Sequence, residues 1–172
     1  MTSPFNYVRS ITYCHFCGNT LITKFIEGNH RLYCRTCQIP IYKNPVPANC
    51  VVVINSEEKL LLVKRSVEPK LGFWCLPGGF MELNESPDES ALRELREETG
   101  LKGKKISLLG LTTAFSSQYD TILMMGYVVK NFSGLLEAGD DASDAKWFEL
   151  EGLPKIAFDS HIKFIRQYQG LA

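Results

Sequence analysis

The chain has 172 residues, 45% of them hydrophobic and 22% charged, enough apolar material for one ordinary domain with a real core, or a domain plus a small module. Lys plus Arg total 19 and Asp plus Glu total 19, so nothing in the charge balance draws the protein to nucleic acid or to an anionic membrane. No apolar run approaches the ~18 residues that span a bilayer. The first residues, MTSPFNYVRSITYCHFCG, hold no apolar stretch of the signal-peptide kind. A cytoplasmic protein with reduced thiols is therefore expected.

The first feature along the chain is a pair of C-x2-C knuckles, Cys14/Cys17 and Cys34/Cys37, separated by 16 residues. Zn²⁺ prefers four soft thiolates in a tetrahedron, and this spacing fits a zinc ribbon. Four sulfur ligands leave no open position for water, so a structural role is expected. A segment this short lacks a core of its own and would be folded by the metal. Residues 39–47, IPIYKNPVP, then read as an extended, proline-rich connector. This places a zinc ribbon at 1–43 and a second domain at 44–172.

Two β-rich runs follow, ANCVVVIN (48–55) and KLLLVKR (59–65), joined by a polar turn and read as a hairpin. Residues 67–80, VEPKLGFWCLPGGF, read as a loop. Ser86 as a cap, Pro87 at the first position, Glu89 as the return acid and Gly100 past the end predict a helix over 87–99. Residues 106–115, 121–129 and 145–150 read as three further strands. DSHIKFIRQY (159–168) reads as a closing helix with Asp159 or Ser160 as cap. The element order predicts an α+β fold, an α/β/α sandwich around a mixed sheet.

The helix at 87–99 raises a question of charge. Ala91, Leu92 and Leu95 form its apolar stripe, and Glu94, Glu97 and Glu98 group on an adjacent face. Like charges at this spacing repel; one reading is a solvated face relieved by Arg93, which stands i, i+4 to Glu97, and by Arg96. The lead-in LPGGF sets flexible glycines just before the helix, where backbone can come close to a ligand. Carboxylate oxygens on a rigid helix beside a backbone carbonyl are what hard Mg²⁺ or Mn²⁺ ions require.

At this point the sequence resembles the Nudix hydrolase family. The family signature G-x5-E-x7-R-E-U-x-E-E-x-G-U, with U a bulky apolar residue, is met at Gly79, Glu85, Arg93, Glu94, Leu95, Glu97, Glu98, Gly100 and Leu101. The resemblance covers about residues 46–172 and implies the family's α/β/α fold. The zinc-ribbon prefix narrows it to the subgroup that includes NADH and FAD pyrophosphatases. After the box, NADH pyrophosphatases carry a segment like SQPWPFPxS; here Ser116, Ser117 and Gln118 match and the W-P-F-P core is absent.

The resemblance implies Mg²⁺- or Mn²⁺-dependent hydrolysis of a nucleoside diphosphate linked to another moiety, with FAD, NADH or ADP-ribose as substrate and AMP as product. It assigns Glu94, Glu97 and Glu98 to metal binding with the Gly79 carbonyl, and Glu85 and Arg93 to bracing the loop–helix junction. Glu97 or Glu98 would be the base. A distal-loop carboxylate serves some members; of Glu137, Asp140, Asp141 and Asp144, Asp141 is the choice here. Arg65 would meet a phosphate, and Phe73, Trp74, Phe80, Phe115 and Tyr119 are candidate platforms for an adenine or flavin ring. The expected partner is a small nucleotide, not nucleic acid or membrane, and the ribbon is a candidate homodimer contact. The competing expectation is a binding module: a silent nucleotide sensor, or a ribbon that contacts nucleic acid or protein. Between Cys14 and Cys37 only Lys24, Arg31 and Arg35 stand against Glu27, too few for a strong phosphate-binding surface.

Overall fold

The computed structural model describes residues 11–171. The chain forms two compact units, one from the described part of Met1–Pro45 with Phe115–Thr121, the other from Val46–Ala114 with the chain from Ile122 onward.

The first unit holds three short strands, β1 (Ile22–Ile26), β2 (Asn29–Cys34) and β3 (Ile39–Ile41), in an antiparallel sheet of order β1-β2-β3. Its buried apolar residues are few: Cys14, Leu21, Cys34 and Ile41. Tyr13, Phe16 and Phe25 lie exposed. Within this unit Lys43 forms an ion pair with Asp120.

The second unit carries the larger core. Its elements are β4 (Val46–Val53), β5 (Leu60–Arg65), β6 (Trp74–Cys75), α1 (Pro87–Thr99), β7 (Lys102–Ser116), β8 (Asp120–Ser133), β9 (Ala142–Phe148) and α2 (Asp159–Tyr168). The tip between β7 and β8 is the Phe115–Thr121 segment counted with the first unit. β4 runs parallel to β8, from Val46 beside Ile122 to Val53 beside Val129, in a sheet of order β4-β8-β7. A second sheet, β6-β5-β9, is antiparallel.

Alternation along β4 makes the sandwich. Ala48, Cys50, Val52 and Ile54 pack with Leu60, Leu62, Met124 and the α2 residues Phe164 and Ile165. Val51 and Val53 point the other way, into a cluster with Leu61, Met125, Tyr127 and the α1 residues Ala91 and Leu95. A strand covered on both faces reads as a continuous apolar run, which is why VVVI lacks a polar alternate.

Two expectations need correction. β4 and β5 touch through an isolated bridge at Ile54 and Leu60 and then part into different sheets, so they are not a hairpin. The cause is that both edges of β4 are taken. β8 holds one, and the loop after β6 holds the other: Val51 N–H donates to the Pro77 carbonyl, Asn49 N–H to the Gly79 carbonyl, and Met81 N–H to the Pro47 carbonyl. The second correction is at α2, whose cap position is Phe158 with extended backbone, so Asp159 is the first helical residue. Among the described residues, no helix is long and apolar enough to cross a membrane.

Candidate active site

The acidic helix α1 starts and stops where its local chemistry directs. Ser86 donates its backbone N–H (2.8 Å) and hydroxyl (2.7 Å) to Glu89 Oε2, and Gly100 takes the left-handed conformation at the end, its N–H donating to the Arg96 carbonyl. Ser90, Ala91, Leu95, Glu98 and Thr99 form its buried side.

Arg93 organises the carboxylates. Its Nε and Nη2 form a fork on Glu85 at 3.0 and 2.9 Å, and its Nη1 lies 2.9 Å from both Glu94 and Glu97. Nη2 also donates to the Phe80 carbonyl at 3.2 Å. Glu85 in turn accepts the Glu82 N–H at 2.7 Å. This fork, helped by the Glu82 N–H, holds the Glu85 carboxyl down at about 2.

Glu98 differs from its neighbours. Its side chain lies in the core, seven residues from Ala91 on the same stripe, and the residue is 5% exposed. Its carboxylate accepts the Gly78 N–H at 2.8 Å. Burial pushes its pKa up to about 8, and the charges of Glu94 and Asp141 add to that, while the Gly78 N–H and Arg65 oppose it. Glu94 is also shifted upward by burial, with Arg93 drawing it back.

The glycine loop fits against this cluster with no room for a side chain. A Cβ on Gly79 would lie 2.5 Å from Glu94 Oε1, and one on Gly78 would lie 2.3 Å from the Asn49 carbonyl oxygen. The Gly79 carbonyl already accepts the Asn49 N–H, which leaves its second lone pair for a ligand. The other wall is the 137–141 segment. It docks on the end of α1 through Glu137 N–H to the Thr99 carbonyl and Gly139 N–H to the Glu98 carbonyl. Asp141 is exposed and close enough to raise Glu98, and Asp140 does the same to Glu94. Asp144 pairs with Lys146 on β9 instead.

The candidate recognition residues are scattered. Arg65, at the end of β5, donates Nε–H to the Pro69 carbonyl at 2.7 Å and lies 5.2 Å from the Phe158 ring. Phe73 packs against the cluster of Val63, Cys75, Ala142 and Ala157. Trp74 is edge-on to Phe148, while Phe80 is 39% exposed in the glycine loop. Tyr119 and Phe115 belong to the first unit, not to the unit that carries α1.

The cysteines converge fully. The Sγ atoms of Cys14, Cys17, Cys34 and Cys37 all lie within 4.8 Å of one another, and all four are free thiols. The separations of 4.0 Å (Cys14–Cys37) and 3.4 Å (Cys17–Cys34) bracket the roughly 3.8 Å that tetrahedral ligands at about 2.3 Å from Zn²⁺ would show. Among the described residues no other acidic, cysteine or histidine group closes to that distance. Arg93 draws Glu94 and Glu97 to one guanidinium nitrogen while Glu98 accepts from Gly78, so the carboxylates are held in one region without three of them closing to that distance.

Two polar residues of this region were not among the sequence candidates. Asn49 on β4 is 1% exposed, and its Nδ2 donates to Ser90 Oγ of α1 at 2.8 Å. The readable signal was a lone amide beside an apolar run, ANCVVV.

Residues 44–168 match the NUDIX domain family model, and the chain belongs to the Nudix hydrolase family. An ADP-ribose pyrophosphatase of Methanocaldococcus jannaschii is 41% identical over 117 residues, 67% of this chain and 69% of that one. The NAD-capped RNA hydrolase NudC of Pseudomonas fluorescens is 26% identical over 151 residues, and the alignment takes in 87% of this chain and about half (52%) of that protein. The NUDIX domain of Shewanella oneidensis NrtR, solved in complex with ADP-ribose, superposes with a TM-score of 0.67 at 28% identity, over 80% of this chain and 92% of that one.

Proposed function

We propose that this chain hydrolyses the diphosphate linkage of a nucleoside diphosphate joined to a second moiety, adding one water across the anhydride to release AMP and the phosphorylated remainder. ADP-ribose leads the candidate substrates, with NADH and FAD beside it. The names of the Methanocaldococcus and Shewanella proteins support that order. The observation that carries the reading is the group of carboxylates that Arg93 and the glycine loop hold together, with Glu98 sunk into the core.

The donor set fits a hard divalent cation. Glu94, Glu97, Glu98, the Gly79 carbonyl and Asp141 are all oxygen ligands. A Mg²⁺ or Mn²⁺ ion held there would disperse the charge of the diphosphate. Glu85 keeps Arg93 in place. Glu97, the more exposed acid, is better situated than Glu98 to accept a proton from water. Arg65 and Phe80 are assigned to phosphate and ring contacts, and Phe73 and Tyr119 remain weaker candidates. Residues 1–43 are assigned to a ribbon folded by structural Zn²⁺ and 44–172 to the hydrolase domain.

The test is product analysis with ADP-ribose, NADH, FAD and NAD-capped RNA, each with Mg²⁺ or Mn²⁺. Turnover of at least one, abolished in Glu97→Gln and Glu98→Gln, is the expected result. The capped RNA belongs in the panel because the Pseudomonas relative bears that name, and its turnover would reverse the expectation that nucleic acid is not a partner. If the wild-type protein turns over none of the four, the reading is wrong.

A further inference from the structure

We propose that Asn49 and Ser90 are positioning residues that set the register of α1 against the glycine loop, and through it the placement of the acidic side chains.

β4 presents Asn49, Val51 and Val53 toward α1, which answers with Ser90, Ala91 and Leu95. Apolar contact of this kind is non-directional and leaves a helix free to rotate or slide slightly. The Asn49–Ser90 hydrogen bond is the directional link between β4 and α1, and it backs the two bonds that α1 side chains make to the loop itself, at Gly78 and Phe80. It lies one turn ahead of Arg93, whose Nη2 also reaches Ser90 Oγ at 3.3 Å. Asn49 fixes the loop as well: its N–H holds the Gly79 carbonyl at 2.9 Å, and its own carbonyl is the atom against which Gly78 lies. One residue thus ties the loop that contacts Glu94 and Glu98 to the helix that carries them.

The other half of the amide sharpens the argument. Asn49 Oδ1 is buried and has no hydrogen-bond partner among the described residues. An unmatched buried acceptor works against stability, so an apolar side chain would suit this strand better. What the asparagine adds is direction, not stability.

The proposal rests on α1 being the site of hydrolysis, and its tests are chosen to separate the two. Asn49→Val and Ser90→Ala each remove the link with little change in volume. We expect Asn49→Val to keep or raise the melting temperature and Ser90→Ala, which strands the buried Asn49 Nδ2, to lower it, while both leave KM nearly unchanged and lower kcat about tenfold. The double variant should fall no further than either single one, because both break the same contact. Mn²⁺ affinity, read by EPR without substrate, should weaken in parallel. A third readout needs neither metal nor turnover: the Arg93 Nε–H resonance in ¹⁵N NMR, assigned through Arg93→Lys, should be protected in the wild type and exchange-broadened in the variants. Unchanged protection in both variants would overturn the proposal, as would kcat within about twofold of wild type in a turning-over enzyme. Altered protection in a protein inert toward every substrate would keep the positioning role and reject the hydrolytic reading.

Discussion

The cysteine cluster and the carboxylates of α1 are both sets of potential metal ligands, yet they are held in opposite ways. In the first unit the ligands are much of the core: among the described residues, Cys14 and Cys34 make up half of its buried apolar cluster, beside Leu21 and Ile41. In the second unit two apolar clusters support the sheet, and the acids are spaced by Arg93, Gly78 and the 137–141 segment. A cation held by the four cysteines would add to the small core of the first unit; one held by the α1 carboxylates would join a unit that two apolar clusters already support.

The sharpest way to break this contrast is to remove the soft ligands. Cys34→Ser, or zinc chelation, should abolish the structure of the cysteine-bearing unit, read as trypsin cleavage at Lys24, Arg31 and Arg35, while the second unit keeps its circular-dichroism spectrum. Removing a hard ligand should do the reverse. Glu97→Gln and Glu98→Gln should each lower kcat by about 10²–10⁴ with the fold intact by the same spectrum. Gly79→Ala comes next: the added methyl meets Glu94, and kcat should fall about 10²-fold.

A smaller effect concerns pH. Burial raises Glu98 from its ordinary 4.5 to about 8, so between those values the folded state holds a proton that the unfolded chain has lost. In EDTA, this group's contribution to stability should be fully present below pH 4.5 and be lost as pH rises toward 8, by at most about 1.4 kcal/mol per pH unit. Urea titrations of wild type and Glu98→Gln would show it as a difference in slope, flatter in the variant. The smallest effect belongs to Arg96. Its contact with Glu97 is 3.9 Å long and its side chain is 58% exposed, so Arg96→Ala should change stability by no more than about 0.5 kcal/mol.

Features decided by neighbours in sequence were legible before the structure. The helix runs from Pro87 to Thr99 as Ser86, Pro87, Glu89 and Gly100 indicate, because caps act within one turn. The C-x2-C spacing within each knuckle is equally local, whereas the two knuckles meet across the antiparallel β1–β2–β3 sheet. In the sequence Glu98 groups with Glu94 and Glu97 on the adjacent face, whereas the structure buries it beside Ala91 and Leu95, where it meets Gly78, a donor outside the helix. The misread pairing of β4 with β5 has a different origin. Strand partners are chosen by contacts between distant segments, and nothing in ANCVVVIN announces that β8 and the Pro77–Met81 stretch will claim its two edges. Asn49 and Ser90 were missed because a polar pair of this kind acquires meaning only when both elements are in place.

The parallel pairing of β4 with β8 also orders events during synthesis. Residues 46–53 and the whole of α1 leave the ribosome well before residues 122–129, and the Phe164 and Ile165 that cover the opposite face come last. Until then the acidic helix has no finished sheet to rest on. A nascent chain halted after β7 would display the apolar β4 without its partner β8, as a client for chaperones instead of an enzyme.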